Sequence, residues 1–340
     1  MATRITKVLV VDDSIVFRQT LKLQLENDKN IEVVGTAINP EDAFEKIKEL
    51  NPDVITLDVE MPGMNGIEFL KKLMPINPKP VIVVTSLPMN ALDALDAGAV
   101  DFVRKPGGDF TVSTFIAELL VKIKIASMSH VKKASNSIPN TLSALEKTNP
   151  DMVIAIGAST GGTEAILSVI RDLPPTTPGI VIVQHMPPVF TKQYAQRLDR
   201  ICQMRVKEAE PFDRVETGQI IIAAGEYQMR LAKDFRGYYI TSERGEKVSG
   251  HCPSVDVLFH SVADIAKEHS IGIILTGMGA DGAKGLLQMK NNGSYTIGQD
   301  QESCVVYGMP MVAYNIGAVC KQMPLNRISY ELISYLNSRK

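Results

Sequence analysis

The sequence predicts an α/β protein built from two doubly wound, mostly parallel sheets in tandem. Three observations predict it. Over the first hundred residues, short runs rich in Val, Ile and Leu alternate five times with helix-compatible segments, the order a parallel sheet requires. After a polar stretch the same alternation resumes at Met152. At 340 residues the chain is long enough for two domains that each bury a core.

Lys7-Val-Leu-Val-Val11 has the continuous apolar character of a strand covered on both faces, and Asp12-Asp13-Ser14 can cap a helix starting near Ile15. Ile31–Ala37 reads as a second strand, followed by a helix from about Pro40 to Leu50. Val54–Leu57 is a third strand ending at Asp58, Val81–Val84 a fourth ending at Thr85 and Ser86, and Val100–Val103 a fifth ending at Arg104-Lys105-Pro106. In such sheets ligands bind beyond the carboxyl ends of the strands. The residues left there are Asp12, Asp13, Asp58, Thr85 and Lys105. Each aspartate taken singly reads as well as a cap or loop residue. Three together repel by about 4 kcal/mol per close pair at an effective dielectric near 20, which a divalent cation with oxygen ligands relieves. Magnesium suits so few carboxylates, because it keeps several waters. A carboxylate beside magnesium, a hydroxyl and a lysine is equipped to accept a phosphoryl group: the metal and Lys105 neutralise its oxygens and Thr85 donates a hydrogen bond.

Residues 125–150 are polar, serine-rich and partly basic, including Lys132-Lys133 and Ser135-Asn136-Ser137, and read as an interdomain linker with some helix near Thr141–Glu146. The expected division is therefore 1–124, linker 125–150, and 151–340.

In the second part, the apolar run Met152–Ile156 ends in Gly157-Ala-Ser159-Thr-Gly161-Gly162, ahead of a helix from near Thr163. This places Ser159 on a tight strand-to-helix turn where backbone N–H groups can receive an oxyanion, and Gly157-x-Ser159-x-Gly161 satisfies the nucleophile-elbow pattern. The same glycines equally suit a turn that only lets helix and strand pack closely. A dinucleotide fingerprint fits less well, since Ser159 stands where a pyrophosphate needs glycine. Gly179–Val183 is another strand and ends at Gln184-His185. A lone strand-end histidine is more often a loop hydrogen-bonder than a base. Ile271–Leu275 runs into Thr276-Gly277-Met278-Gly279-Ala280-Asp281-Gly282, where Asp281 could equally cap the helix that follows. Taken together at parallel strand ends, Ser159, His185 and Asp281 are better accounted for as nucleophile, general base and imidazole-orienting carboxylate. The order Ser, His, Asp is not that of α/β-hydrolases. A reading as that fold needs a late histidine, and His251, His260 and His269 read as ordinary surface or helix residues.

Composition excludes other classes. The chain is 45% hydrophobic and 22% charged with a net charge of −2, which disfavours nucleic-acid binding through a basic surface. The four cysteines lack close pairing and metal-ligand spacing, as expected of reduced thiols in a cytoplasmic protein. No secretion segment or bilayer-length apolar run is present, so neither export nor direct membrane insertion is expected. The tail has no basic helix-turn-helix stretch that would make a transcription factor, and the presence of all three triad residues disfavours a decayed adaptor.

Residues 5–122 resemble a response-regulator receiver domain, a flavodoxin-like fold, through Val-Asp12-Asp13-Ser, Leu-Asp58-Val-Glu-Met-Pro62, Thr85-Ser86 and Ala97-Gly98-Ala-Val-Asp-Phe-Val-Arg-Lys105-Pro106. The resemblance implies that a chemotaxis histidine kinase phosphorylates Asp58, that Asp12 and Asp13 join it in holding Mg²⁺, that Thr85 senses the phosphoryl group and that Lys105 pairs with it. Asn65 stands where the family often has aspartate, outside the chemistry. From about residue 151 to 335 the chain resembles the catalytic domain of the bacterial chemotaxis protein-glutamate methylesterases. The stretches that carry this are Ile-Gly-Ala-Ser159-Thr160-Gly-Gly, Val-Gln-His185-Met-Pro, Pro253-Ser-Val-Asp-Val-Leu-Phe and Leu-Thr-Gly-Met278-Gly-Ala-Asp281-Gly. Ile297-Gly-Gln-Asp300 and Val305-Val-Tyr-Gly-Met-Pro310 add to them. It implies the triad above, the Met278 backbone N–H and Thr160 at the oxyanion, no cofactor for the esterase, and glutamate methyl esters and glutamines of chemoreceptor helices as substrates. Two departures bear on substrate contacts: Gln228 replaces a histidine, in a segment that also lacks the family's proline, and Cys252 stands where arginine commonly precedes Pro-Ser-Val-Asp.

Overall fold

The computed structural model describes residues 5–107, 110–129 and 151–339, which form two compact units, one on each side of the 130–150 segment. In the first, β1 (Thr6–Val11), α1 (Ile15–Leu25), β2 (Ile31–Ala37), α2 (Pro40–Leu50), β3 (Val54–Asp58), α3 (Gly66–Ile76), β4 (Val81–Thr85), α4 (Pro88–Asp96), β5 (Asp101–Arg104) and α5 (Val112–Ser127) alternate strictly. The strands pair in parallel in the order β2-β1-β3-β4-β5, the expected doubly wound sheet. Every residue of β3 and β4 is buried, which is why these strands read as unbroken apolar runs and not as alternation. Local capping agrees with the sequence. Ser14 accepts from the Phe17 N–H at the start of α1, and Asn39 does the same for α2 ahead of Pro40. Asn65, the departure from the family pattern, is the N-cap of α3 and accepts from the Glu68 N–H, a role asparagine and aspartate fill alike. Helix α5 continues to Ser127, past the expected linker start at 125. The rest of that linker from residue 130, with the helix anticipated near Thr141–Glu146, lies outside the described residues.

The second unit contains β6 (Val153–Ala158), α6 (Gly162–Ile170), β7 (Gly179–Gln184), α7 (Phe190–Ile201), β8 (Arg205–Glu208), β9 (Gln219–Ile222), β10 (Tyr227–Asp234), β11 (Gly237–Arg244), α8 (Val255–Ile265), β12 (Ser270–Ile274), α9 (Ala283–Asn291), β13 (Tyr295–Gln299), α10 (Met309–Asn315), β14 (Lys321–Met323) and α11 (Leu325–Ser338). Seven strands pair in parallel in the order β14-β13-β12-β6-β7-β9-β8. The chain leaves β6 toward β7, β9 and β8, then crosses back to build β12, β13 and β14 on the other side. That reversal makes the carboxyl end of β6, flanked by β7 and β12, the switch point where a cleft opens. Strands β10 and β11 form a separate antiparallel hairpin that the sequence reading did not anticipate. Its turn signal is spread over Asp234-Phe235-Arg236-Gly237, with the Asp234 carboxylate accepting from the Arg236 N–H and Gly237 at φ 110°.

Helix α8 packs against this hairpin, against α9 and against β6. The closest approach is at Gly157 of β6, where an added Cβ would lie 2.2 Å from Val255 Cγ1. Val255 is β-branched and fully buried at the first turn of α8, so it has little freedom to retreat. Gly157→Ala is therefore expected to destabilise the protein by about 1–3 kcal/mol, read from the urea unfolding midpoint, and to lower any activity that needs the α8 N-terminus in place. An unchanged midpoint would contradict this packing.

Candidate active site and phosphoacceptor cluster

In the first unit the five predicted positions converge beyond the carboxyl ends of β1, β3, β4 and β5. Oxygens of Asp12, Asp13 and Asp58 lie within 4.8 Å of one another, a spacing at which one cation could take a ligand from each. Lys105 Nζ lies 2.7 Å from Asp58 Oδ2 and 3.5 Å from Asp12 Oδ2. Thr85 is fully buried, and its Oγ1 accepts from the Leu87 N–H at 3.1 Å. Asp12 Oδ1 accepts from the Ser14 N–H, whereas its buried Oδ2 makes no hydrogen bond. That buried oxygen, facing Lys105 but accepting no hydrogen bond, fits an oxygen-seeking cation.

Burial above all, with the nearby Asp58 and Asp13 charges, pushes the Asp12 carboxyl up from 3.8 to about 6, against the pull of Lys105 and the Ser14 N–H. The sign follows from linkage. Between those values the folded chain holds a proton that the unfolded chain has released, so the metal-free protein loses stability as pH rises through the window. A divalent cation needs the ionised carboxylate and competes with that proton. Magnesium affinity measured by titration calorimetry is expected to fall about tenfold per pH unit below about pH 6 and to level off above it. A flat affinity across that window would show that Asp12 is not a ligand.

In the second unit Ser159 directly follows β6, His185 directly follows β7, and Asp281 lies in the loop from β12 to α9. Adjacent parallel strands bring the first two side by side: Ala158 pairs with Gln184, and the His185 N–H donates to the Ala158 carbonyl at 3.2 Å. Gln184 steadies the serine turn, its side-chain amide donating to the Ser159 carbonyl at 3.0 Å. His185 Nε2 meets Asp281 Oδ2 at 2.8 Å across a sequence separation of 96 residues. Its Nδ1 is buried and has no hydrogen-bond partner, so no bond to Ser159 is made.

Asp281 proves to be a cap, but not of the helix that follows it. Helix α9 starts at Gly282 without a side-chain cap. The Asp281 carboxylate instead faces the N-terminus of α8, accepting from Ser254 Oγ at 2.8 Å, Val255 N at 2.8 Å and Asp256 N at 3.0 Å. Burial pushes this carboxyl up, but the His185 hydrogen bond and charge, with the Asp256 N–H and Ser254 hydroxyl, outweigh burial and hold it below the usual carboxylate range. An ionised carboxylate can only accept, so Nε2 of His185 carries the proton and Nδ1 has the free lone pair.

The Gly277-Met278 loop closes over the serine. A Cβ at Gly277 would stand 2.7 Å from Ser159 Cβ, and Gly277 is pinned by its N–H to the Val306 carbonyl. Among the described residues the Met278 N–H is paired with no acceptor. The Thr160 carbonyl accepts from Thr276 Oγ1, fixing the turn to the same loop.

His251, read from the sequence as an ordinary surface residue, is corrected by the structure. Its ring lies stacked on His185 with centroids 3.6 Å apart and planes within 7°. His260 stays outside the site, its Nδ1 bonded to Gln288 Oε1, and His269 is exposed. Gln228 is buried and ties down the loop that carries His251, donating to the Glu246 and His251 carbonyls and accepting from the Ser254 N–H. Both residues lie in stretches the sequence singled out, but the bonds Gln228 and Ser254 make could not be read there, since their partners come from other elements. Cys252 is partly buried, which raises its thiol pKa, and all four cysteines are free. No helix among the described residues is long and apolar enough to cross a membrane.

The profile of the response regulator receiver domain matches residues 8–117 and that of CheB methylesterase matches residues 154–332, so the class is a response regulator whose receiver precedes a methylesterase domain. A protein-glutamate methylesterase/protein-glutamine glutaminase 2 of Syntrophomonas wolfei is 51% identical over 99% of each chain. The protein-glutamate methylesterase/protein-glutamine glutaminase of Escherichia coli O157:H7 is 46% identical, over 98% of this chain and 97% of that one. The crystal structure of the Thermotoga maritima CheB methylesterase catalytic domain aligns with a TM-score of 0.53 at 38% identity, covering 54% of this chain and 98% of that one. The chain belongs to the CheB methylesterase family.

Proposed function

We propose that the protein is a phosphorylation-regulated serine hydrolase that demethylates glutamate methyl esters, and deamidates glutamines, on the cytoplasmic helices of chemoreceptors during chemotactic adaptation. The single observation that carries the catalytic part is the 2.8 Å bond from His185 Nε2 to an Asp281 carboxylate clamped by α8, at the strand end beside Ser159. That bond selects the tautomer whose Nδ1 is the free base.

Ser159 Oγ attacks the ester carbonyl and passes its proton to His185 Nδ1, while Asp281 stabilises the imidazolium. The tetrahedral oxyanion is received by the Met278 N–H and by Thr160. Collapse expels methanol, which takes the proton from Nδ1. Water then gives a proton to the same nitrogen as it attacks the acyl-serine, and collapse returns that proton to Ser159 Oγ and frees the glutamate side chain, which ionises in water. With a glutamine substrate, ammonia leaves in place of methanol. The hydrogen bond from Ser159 to Nδ1 forms with substrate, as catalytic bonds that are long in the free enzyme do. The esterase needs no cofactor.

In the receiver, Asp58 accepts the phosphoryl group from the chemotaxis histidine kinase. Asp12, Asp13 and Asp58 would hold Mg²⁺, which would neutralise the phosphoryl oxygens when bound. Lys105 pairs with those oxygens, and Thr85 turns its hydroxyl from its local bond toward them. We take 1–124 as receiver, 125–150 as linker and 151–340 as esterase, acting in the cytoplasm with neither nucleic acid nor inserted membrane as partner.

Methanol release from methylated receptor membranes tests this reading. Ser159→Ala is expected to lower kcat by about 10⁶-fold, in line with other serine triads, and turnover near the wild-type rate would end it. Asp58→Ala is expected to abolish the stimulation that a small phosphodonor gives the wild type, and persistent stimulation would place the phosphoacceptor elsewhere.

A further inference from the structure

The stacking of His251 on His185 is not used by the mechanism above. We infer that His251 is a positioning residue of the reaction: its stacked ring holds the plane of the His185 imidazole and offers a π face to the imidazolium that forms there. This rests on His185 being the general base.

The Asp281 bond fixes one nitrogen of His185 but leaves the ring able to swing about the line through that bond. A second ring 3.6 Å away and within 7° of parallel blocks the swing on one face. The pair also meets an electrostatic condition. A charged His251 would repel the developing imidazolium, so the stacked ring must stay neutral, and a neutral ring presents negative π density to a cation. Around His251 stand His185, Asp281 and Lys247. Burial first, then the His185 and Lys247 charges, push its pKa down to about 4 against the pull of Asp281, so it is neutral near neutral pH.

The position of His251 is built. Its backbone exchanges two hydrogen bonds with Val248, each 2.9 Å. The Gln228 side chain spans the loop, donating to Glu246 O at 2.9 Å and His251 O at 3.4 Å and accepting from Ser254 N at 2.9 Å. Ser254 begins the helix that clamps Asp281. One non-titrating carboxamide thus registers both the ring above His185 and the carboxylate beside it.

The test uses the full chain with His251→Phe, which keeps an aromatic face, and His251→Leu, which keeps apolar bulk without one. Methanol release is measured over about pH 5 to 8, spanning the ordinary histidine range. The Phe variant is expected within about threefold of wild-type kcat, with an unshifted acidic limb. The Leu variant is expected to lose roughly tenfold in kcat with little change in KM, the scale of a desolvated cation–π contact. Equal kcat for the two variants, whether high or low, would overturn the inference, because loop packing alone would then account for His251. If Ser159→Ala is inactive in the same assay while the two variants match, only this inference fails. An active Ser159→Ala would remove the serine mechanism itself.

Discussion

The catalytic half depends on how one buried carboxylate is kept charged. Asp281 is 2% exposed, and burying an ionised group without partners would neutralise it. It is instead surrounded by donors: the first backbone N–H groups of α8, the Ser254 hydroxyl and the His185 ring. Unsatisfied N–H groups at a helix start carry partial positive charge, so burial of the helix end and burial of the carboxylate solve each other. Everything around the proposed base follows from this arrangement. A charged Asp281 dictates the tautomer of His185, and α8 can reach Asp281 only because Gly157 lets Val255 sit against β6.

The two units apply one topological principle to opposite electrostatic ends. Each is a parallel sheet whose chain reverses direction beside a central strand, leaving several carboxyl ends around one cleft. In the first, Asp12 keeps a buried oxygen that accepts no hydrogen bond and faces Lys105 at 3.5 Å, with a pKa raised beside two other carboxylates. In the second, the carboxylate is fully satisfied. An unsatisfied cluster responds strongly to an added cation or phosphoryl group, as a switch must. A satisfied one is preorganised and barely needs to move, which suits stabilisation of a transient charge. In the function proposed, the acidic cluster is the sensor and the clamped aspartate the fixed part of the enzyme.

Much of this was legible in the chain. The parallel strands announced themselves because strands covered on both faces must be apolar throughout, and Asp12, Asp58, Ser159 and His185 stood at the points where such runs stop. The hairpin β10–β11 was not legible. It is half exposed, its burial alternates only partly, and its turn lacks the compact Asn-Gly or Asp-Gly signal. His251 was misjudged for a related reason: it follows no buried strand, and its importance lies in the ring it touches.

By itself, then, the sequence determined the five strands of the first sheet, the three central strands of the second and the residue types at their ends, because periodicity and turn chemistry are local properties of neighbouring residues. Only the tertiary structure decided that Asp281 caps α8 and not α9, that Gln228 clasps the loop before it, and that His251 lies on His185. These are contacts between side chains far apart in the chain, set by how helices and hairpin pack over the sheet, and no local pattern encodes which distant partner a buried donor or ring will meet.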